Sequence, residues 1–403
     1  MGLTASIINN KPEEIATLMT ITEGKRIVSP AQFRSRYVET VGFTKGFGGK
    51  KVKVKGLKNT EHLKGVVQPR VDYVETGDIK AKAMPVKDVK NVDVQMSPRQ
   101  YRLYQLALNK LGPIKSRIAR GDENVTVREA ENLFSQVSQA RQLANSIHTG
   151  RKDVTPSQAA RRTPKAKKIL DDTAAHLMER PDNKVVLYSN LIRGGVDVLS
   201  AGLKDRGIDH AVFVGKGTEI GGTKITAVSR QSGVQDYKKG KKRVIVLSGA
   251  GAEGLSLGNS TAFFAMDGHF NPQRVLQAEA RARRLGGQKH RPVEERKVEV
   301  RRYRSVAPAS ERPGFFGKLI GRTTPKTTDE WMYGVAGRKF RSQKQFHTAL
   351  KEPPKYVRKY KDAKGRTRYV YRKEPKQRSL FSRLFGSSEG NPAPGPKAKP
   401  VGQ

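Results

Sequence analysis

Cysteine is missing from all 403 residues. That excludes a disulfide framework, cysteine-ligated zinc and thiol catalysis. Acidic residues are scarce beside basic ones: 37 Asp plus Glu stand against 79 Lys plus Arg, a formal net charge of +42. No apolar run approaches the ~20 residues that a membrane-spanning helix needs. Met1 to Asn10 lacks the basic flank and apolar stretch of a signal peptide. The hydrophobic fraction is 35%, which predicts that part of the chain is loop or tail rather than core. These absences point to a cytoplasmic protein, bacterial or in a host cell, with no membrane partner.

What is present is cationic. A chain this basic attracts polyanions, and nucleic acid is the commonest of them. Its length allows two or three domains.

Hydrophobic patterning divides the chain. The first ~20 residues read as a strand end, a turn and a short helix from near Pro12. Residues 42–56 are rich in Gly and Lys and predict an exposed loop or hairpin. Ser97-Pro98 opens a helix to about 111, and a second runs about 126–148, with Leu133, Val137, Ala140, Ala144 and Ile147 at helical spacing. Residues 150–168 are polar and basic and read as a connection. Then the pattern changes. Residues 184–189, 211–214, 243–248, 261–266 and 297–306 read as strands with near-continuous apolar runs, and helices lie between them, one at about 272–285. That alternation predicts a parallel sheet covered by helices on both faces. Thr327-Thr-Asp-Glu330 begins a further helix with capping chemistry, and Pro353-Pro354 ends it. Lys355 to Lys373 reads as a basic β-hairpin about Asp362-Ala-Lys-Gly365. The Gly, Pro and Ser content after Gly386 predicts a disordered end.

Three elements carry chemistry. Gln277, Arg281 and Arg284 fall at i, i+4 and i+7, on one face of the predicted helix. Two arginines a turn apart can fork onto phosphate oxygens, and one aimed at a γ-phosphate stabilises charge in a transferring phosphoryl group. A solvated basic face would show the same spacing. Ser248-Gly-Ala-Gly-Ala-Glu253-Gly254-Leu-Ser-Leu257 follows a buried strand. Its small residues suit either an anion held on backbone amides or a tight turn. Asp267 ends the next strand, and Asn271-Pro272 caps the arginine helix.

In this order the three resemble the second helicase lobe of the Swi/Snf-like branch of superfamily two. Ser248–Leu257 looks like motif V and Gln277–Gly286 like motif VI. Asp267 with Asn271-Pro272 is similar to the Asp-x-x-Trp-Asn-Pro stretch between them, Phe270 standing at the Trp position. Tyr188-Ser189-Asn190 resembles motif IV, and Thr328-Asp-Glu330 the Thr-x-Asp-Glu start of a brace helix, here after an insertion at about 308–326. Leu3 to Asn10 resembles motif III, with Ala5 where the family has Gly and Ile7 where it has Pro. Residues 29–37 and 96–101 resemble the linker between lobes.

The resemblance implies a RecA-like α/β fold, preceded by a mostly helical inter-lobe region and followed by a basic tail. The expected divisions are 1–25 for the end of lobe one, 26–179 for the inter-lobe region and 180–350 for the lobe with its brace. Residues 351–385 would form the basic hairpin and tail, and 386–403 the disordered end. It implies a nucleic-acid-dependent ATPase, in which Arg281 and Arg284 act on the transferring phosphate. Gln277, Glu253 and Gly254 would bind ATP, and Ser189, Asn190 and Ser248 would touch the nucleic-acid backbone, DNA rather than RNA. Lys359, Tyr360 and Arg368 of the hairpin either add phosphate and base contacts or pack on the lobe. The hairpin is also similar to short segments of phage-encoded proteins.

The family's P-loop lysine and Asp-Glu pair lie upstream of motif III, and this chain starts almost at motif III. Gly46-Phe-Gly-Gly49-Lys50-Lys51 has Thr at position 44, where a P-loop needs Gly, and no Ser or Thr after the lysine. ATP and Mg2+ are therefore expected only in a complete two-lobe assembly, with a partner lobe carrying the P-loop. A catalytically inactive helicase-like DNA-binding module is the alternative.

Overall fold

A computed structural model of the chain describes residues 14–24, 26, 28–41, 45–46, 49–50, 53–67, 84–121, 136–150, 153–252, 255–311, 324–351, 356–361 and 367–371. Three helices, α1 (Glu14–Glu23), α2 (Pro30–Tyr37) and α3 (Thr60–Val67), form a small N-terminal unit. Their core is Ile15, Met19, Phe33, Tyr37, Leu63 and Val67. Strands β1 (Val38–Val41) and β4 (Lys53–Leu57) pair antiparallel around the two-residue strands β2 (Lys45–Gly46) and β3 (Gly49–Lys50). The Gly/Lys segment is thus a hairpin where it is described. The motif III-like residues before Glu14 lie outside the described residues.

The main body is a six-stranded sheet in the order β5-β12-β11-β6-β10-β7. Its strands are β5 (Val86–Gln95), β6 (Val185–Tyr188), β7 (His210–Phe213), β10 (Val244–Leu247), β11 (Ala262–Ala265) and β12 (Lys297–Val306), while the two-residue strands β8 (Glu219–Ile220) and β9 (Thr223–Lys224) pair with each other outside it. Every pairing within the six-stranded sheet is parallel. Alternate residues feed opposite cores, as the period of a strand requires. Val185, Leu187, Val244, Val246 and Phe264 join the core beneath helices α7 (Pro156–Arg162), α8 (Pro164–Glu179) and α9 (Asp197–Asp205). Val186, Tyr188, Ile245, Leu247 and Phe263 join the opposite core, beneath α10 (Ala227–Lys239) and α11 (Pro272–Ala282). Burial on both faces is why these strands read as unbroken apolar runs.

Two sequence expectations change. Residues 150–168 are not a connection: 156–162 and 164–179 are helical, and Thr155 and Gln158 form a capping box ahead of α7. Val86–Gln95, placed by sequence ahead of the lobe, is an edge strand paired with β12 along ten residues. The lobe's own sheet and cover therefore draw in residues from 86 to 179.

A third core joins α4 (Pro98–Asn109), α5 (Pro113–Ala119) and α6 (Ser138–Asn145) to the brace helix α12 (Thr328–Lys351) through Tyr104, Leu143, Phe270, Trp331 and Val335. Phe270 meets Trp331 edge-on at 5.2 Å. The cap of α12 is as expected: Thr327 Oγ1 accepts from Glu330 N, and Thr327 N donates to the Glu330 carboxylate. Beyond it β13 (Tyr356–Lys361) and β14 (Thr367–Tyr371) pair antiparallel, confirming the hairpin. Among the described residues no helix is long and apolar enough to cross a membrane.

Candidate functional site

Strands β6, β10 and β11 align Val185, Val244 and Ala262 in one register. Their ends therefore form two rims. The carboxyl rim holds Ser189, Asn190, Ser248 and Asp267, and the amino rim holds Lys184, Arg243 and Thr261.

Asp267 organises the carboxyl rim. Its carboxylate accepts from the Ser189 hydroxyl, from Asn190 N at 3.0 Å, from Asn190 Nδ2 at 2.9 Å and from Asn145 Nδ2 at 2.9 Å. Arg141 Nη2 lies 3.8 Å from it and donates to the Gly268 carbonyl at 3.1 Å. The network continues: Lys165 Nζ donates to Asn145 Oδ1 at 2.6 Å and to Asp329 Oδ2 at 2.6 Å, and Asp329 also accepts from Ser305 N at 2.9 Å. Arg141, Asn145, Lys165, Asp267 and Asp329 are all at most 2% exposed. Buried charges persist when paired and hydrogen-bonded, and here each has such a partner. The network ties α6, α8, the rim and α12 together. Lys165, Asn145 and Arg141 belong to no motif; their only sequence signal is position within helices, which does not distinguish a buried charged residue from a surface one.

Of the predicted nucleic-acid contacts, Ser189 is fully buried and its hydroxyl is held by Asp267. In this structure the hydroxyl is turned inward and shapes the rim. Asn190 is half-buried, its carbonyl accepting from Tyr188 at 2.9 Å. Ser248 is 4% exposed, its hydroxyl accepting from Ala250 N at 3.3 Å in the turn Gly249–Ala252. Arg193, three residues after Asn190, and Arg274, in the first turn of the helix Pro272–Ala282, are both exposed and belong to no motif. His269 is half-buried, and desolvation, reinforced by the charges of Arg141 and Arg274, lowers its pKa to about 4.

The arginines sit elsewhere. Helix α11 begins at Pro272 with Asn271 as its cap, runs back along the sheet and stops at Ala282. Arg284 therefore lies beyond the helix, and the expected shared face with Gln277 and Arg281 does not extend to it. The two arginines still converge: Arg281 and Arg284 both donate to the Leu255 carbonyl, at 3.4 and 3.1 Å. The stop is tertiary. A Cβ on Gly287 would fall 2.0 Å from the Gly258 carbonyl oxygen, so two backbones touch there. Gln288, at φ +58°, is held in that unusual conformation by bonds to Ser260 O, Lys297 O and Lys297 N. Gln277 is half-buried on α11. Glu253 and Gly254 lie outside the described residues. The side chains of Lys359, Tyr360 and Arg368 do too, although the backbone register sets Lys359 opposite Tyr369 and Tyr360 opposite Arg368.

Comparison with known proteins agrees with the motif order. Residues 165–286 match the helicase conserved C-terminal domain. This stretch, which contains the rim, the glycine-rich segment and both arginines, is a helicase C-terminal domain. A putative ATP-dependent RNA helicase of Acanthamoeba polyphaga mimivirus is 25% identical over 224 residues, 55% of this chain and 45% of that protein. An uncharacterised ATP-dependent helicase of Bacillus subtilis, YqhH, is 24% identical over 292 residues, 70% of this chain and 48% of its own length. The chain thus spans about half the length of the curated relatives it matches. Among solved structures, the Sulfolobus solfataricus SWI2/SNF2 ATPase core in complex with dsDNA is similar at TM-score 0.42 and 18% identity, covering 86% of this chain and 65% of that one.

Proposed function

We propose that this chain is the C-terminal lobe of a nucleic-acid-dependent ATPase that moves along duplex DNA, and that its two rims divide the work. The lobe is taken to begin near residue 84, with the sheet's edge strand. Asn190 and Ser248, with the neighbouring exposed Arg193 and Arg274, would face the nucleic-acid backbone, where amide, hydroxyl and guanidinium groups make the contacts that set position rather than sequence. Asp267 and Ser189 hold that rim in shape. Lys359, Tyr360 and Arg368 extend the surface through the hairpin. At the other end Arg281 and Arg284 would turn from Leu255 to a phosphoryl group presented by a lobe bearing a P-loop. The observation that carries this reading is the convergence of both arginines on one carbonyl of the glycine-rich segment: a pair of forked cations, already side by side, needs only to exchange one neutral acceptor for a charged one.

The fit to ATP and Mg2+ covers one half of such a site. The guanidinium groups suit phosphate oxygens, whereas among the described residues no group of three His, Asp or Glu could hold a metal ion. Asp329-Glu330 is engaged as an ion-pair partner and a helix cap. The phosphate cradle and the metal ligands, with Gln277, Glu253 and Gly254 as flanking contacts, would be completed by the P-loop lobe. Bound there, Mg2+ would neutralise charge between the phosphates.

The test is Arg284→Ala in a two-lobe protein assembled from this chain and a P-loop lobe. Turnover should fall on the order of 10³-fold while duplex binding, measured by anisotropy, stays within two-fold. Turnover that survives the change rejects the assignment and favours the inactive binding module.

A further inference from the structure

The amino rim opens into a cleft of about 320 Å³ lined by Lys184, Lys238, Ser256, Asn259, Arg284 and Gly287 among others. That lies within the roughly 300–1,000 Å³ typical of small-molecule sites. Its electrostatics are one-sided. Among the described residues no carboxylate pairs with Lys184, Lys238 or Arg284, although ion pairs are frequent elsewhere on the lobe. Donors are open as well. Lys184 Nζ donates to the Tyr237 and Lys238 carbonyls at 2.9 and 3.0 Å, which occupies two of its three protons. Those bonds also offset the negative end of α10, which otherwise would oppose an anion. The Nε of Arg284 is buried with no hydrogen-bond partner. No bond among the described residues engages the Ser256 hydroxyl or the Asn259 amide nitrogen, and both residues are exposed at the mouth. Burial with no compensating carboxylate lowers the pKa of Lys184.

We propose that this cleft binds a small phosphate-bearing anion through Lys184, Lys238 and the inner edge of Arg284, with Ser256 and Asn259 closing the mouth. The site shares Arg284 with the ATPase reading, but its test is separate: Lys184 and Lys238 are not part of the Arg281–Arg284 pair, and binding is measurable on the chain by itself. Nor does it depend on the carboxyl rim, which lies at the opposite ends of the strands.

The experiment is calorimetric titration of the full chain with inorganic pyrophosphate at fixed ionic strength. Saturable one-to-one binding is expected, roughly ten-fold weaker in Lys184→Gln and several-fold weaker in Lys238→Gln, and unchanged in Lys216→Gln, an exposed lysine away from the cleft. Equal weakening in all three variants would show diffuse attraction to a +42 chain and overturn the proposal. So would unchanged affinity in Lys184→Gln and Lys238→Gln. Because Lys184 also caps α10, a thermal melt accompanies its variant. If that variant does not fold, the exposed Lys238→Gln and Asn259→Asp decide, and full binding in both refutes the site. Displacement of pyrophosphate by ADP assigns the cleft to nucleotide phosphates, and failure of ADP to displace it assigns free phosphate species. Both outcomes support the anion class. A short DNA duplex that displaces pyrophosphate, and whose own binding is lost in Lys184→Gln, would make the cleft a nucleic-acid contact and overturn the small-anion assignment.

Discussion

Replacing Lys165 with Met should be among the most damaging single changes in this lobe. The ammonium is 1% exposed and sits 2.6 Å from both Asn145 Oδ1 and Asp329 Oδ2. Met fills similar space, so packing changes little. What changes is charge: Asp329, 2% exposed, keeps only the Ser305 amide as a donor, and Asn145 loses the cation that orients it toward Asp267. Removing one partner of a buried pair costs about 3–5 kcal/mol, because the other charge remains desolvated. Against a total of roughly 5–15 kcal/mol for a domain, that is a large fraction. Trp331, the only tryptophan, is buried on the same brace helix against Phe270, so its fluorescence follows the region directly during urea unfolding. The midpoint should fall steeply in Lys165→Met. Adding Asp329→Asn should recover about 0.5–3 kcal/mol, the range of coupling between neighbouring residues. A loss below about 1 kcal/mol, or a double variant no better than the single one, would mean that the network is incidental and that α12 is held by its apolar face alone.

Stability should fall as the medium is acidified. Burial depresses the pKa of His269 to about 4, and lowers those of His176 and His210, each by desolvation first. A histidine kept neutral when folded takes up its proton more readily when unfolded, so its contribution is present above the unfolded pKa of about 6.5 and is lost as pH falls toward 4. His269 accounts for on the order of 3 kcal/mol of this, and His269→Gln should flatten the pH dependence of urea midpoints between pH 7 and 4; an unaltered slope counts against it. Gly287→Ala would drive a methyl group into the Gly258 carbonyl and should cost about 1–3 kcal/mol while weakening pyrophosphate binding, and a wild-type melt would show that the two backbones separate freely. Removing residues 351–403 should reduce the slope of log affinity for duplex DNA against log salt by about 0.9 for each phosphate that the hairpin neutralises, and an unchanged slope excludes the hairpin from binding.

The central strands were readable because burial on both faces leaves only apolar residues in them. Val244-Ile-Val-Leu247 and Ala262-Phe-Phe-Ala265 match the expected spans to within a residue at each end. The edge strand was not. Val86–Gln95 has one neighbour and a half-exposed surface, so Lys87, Asp88, Lys90 and Asp93 interrupt its valines, as edges that resist further pairing require. Helices α7 and α8 were hidden for a related reason. Up to residue 168 their buried positions are Ala159, Ala160, Lys165 and Ala166, and a buried lysine reads as a surface one until its partners are known. The early stop of α11 had no local signal, since Ala280 to Arg284 are good helix formers; Gly258 and Gln288, each brought there by tertiary packing, decide it. The motif order was legible because it depends on sequence intervals, whereas the inward turn of Ser189 was not, because burial cannot be read from a motif.

The distance between the two rims limits how they can communicate. The four residues of β6 stand between Lys184 and Ser189, five residue steps or about 17 Å at roughly 3.3 Å per residue. The strands themselves are a poor transmitter: packed on both faces in one register, they have no second arrangement to adopt. The segment from Ser248 to Leu257 is different. It starts at the carboxyl rim, ends at the amino rim, and is fixed at its far end by Arg281 and Arg284 on Leu255 and by the Leu257 amide on the Arg281 carbonyl. Turning both guanidinium groups onto phosphate would strip Leu255 of its two donors while leaving the Leu257 anchor in place. On the proposed function the segment would then have two arrangements about a shared pivot, which is what coupling between distant sites requires. On this geometry Ser248 would feel the release of Leu255 along one covalent chain, and Asp267, held from four directions, would stay still.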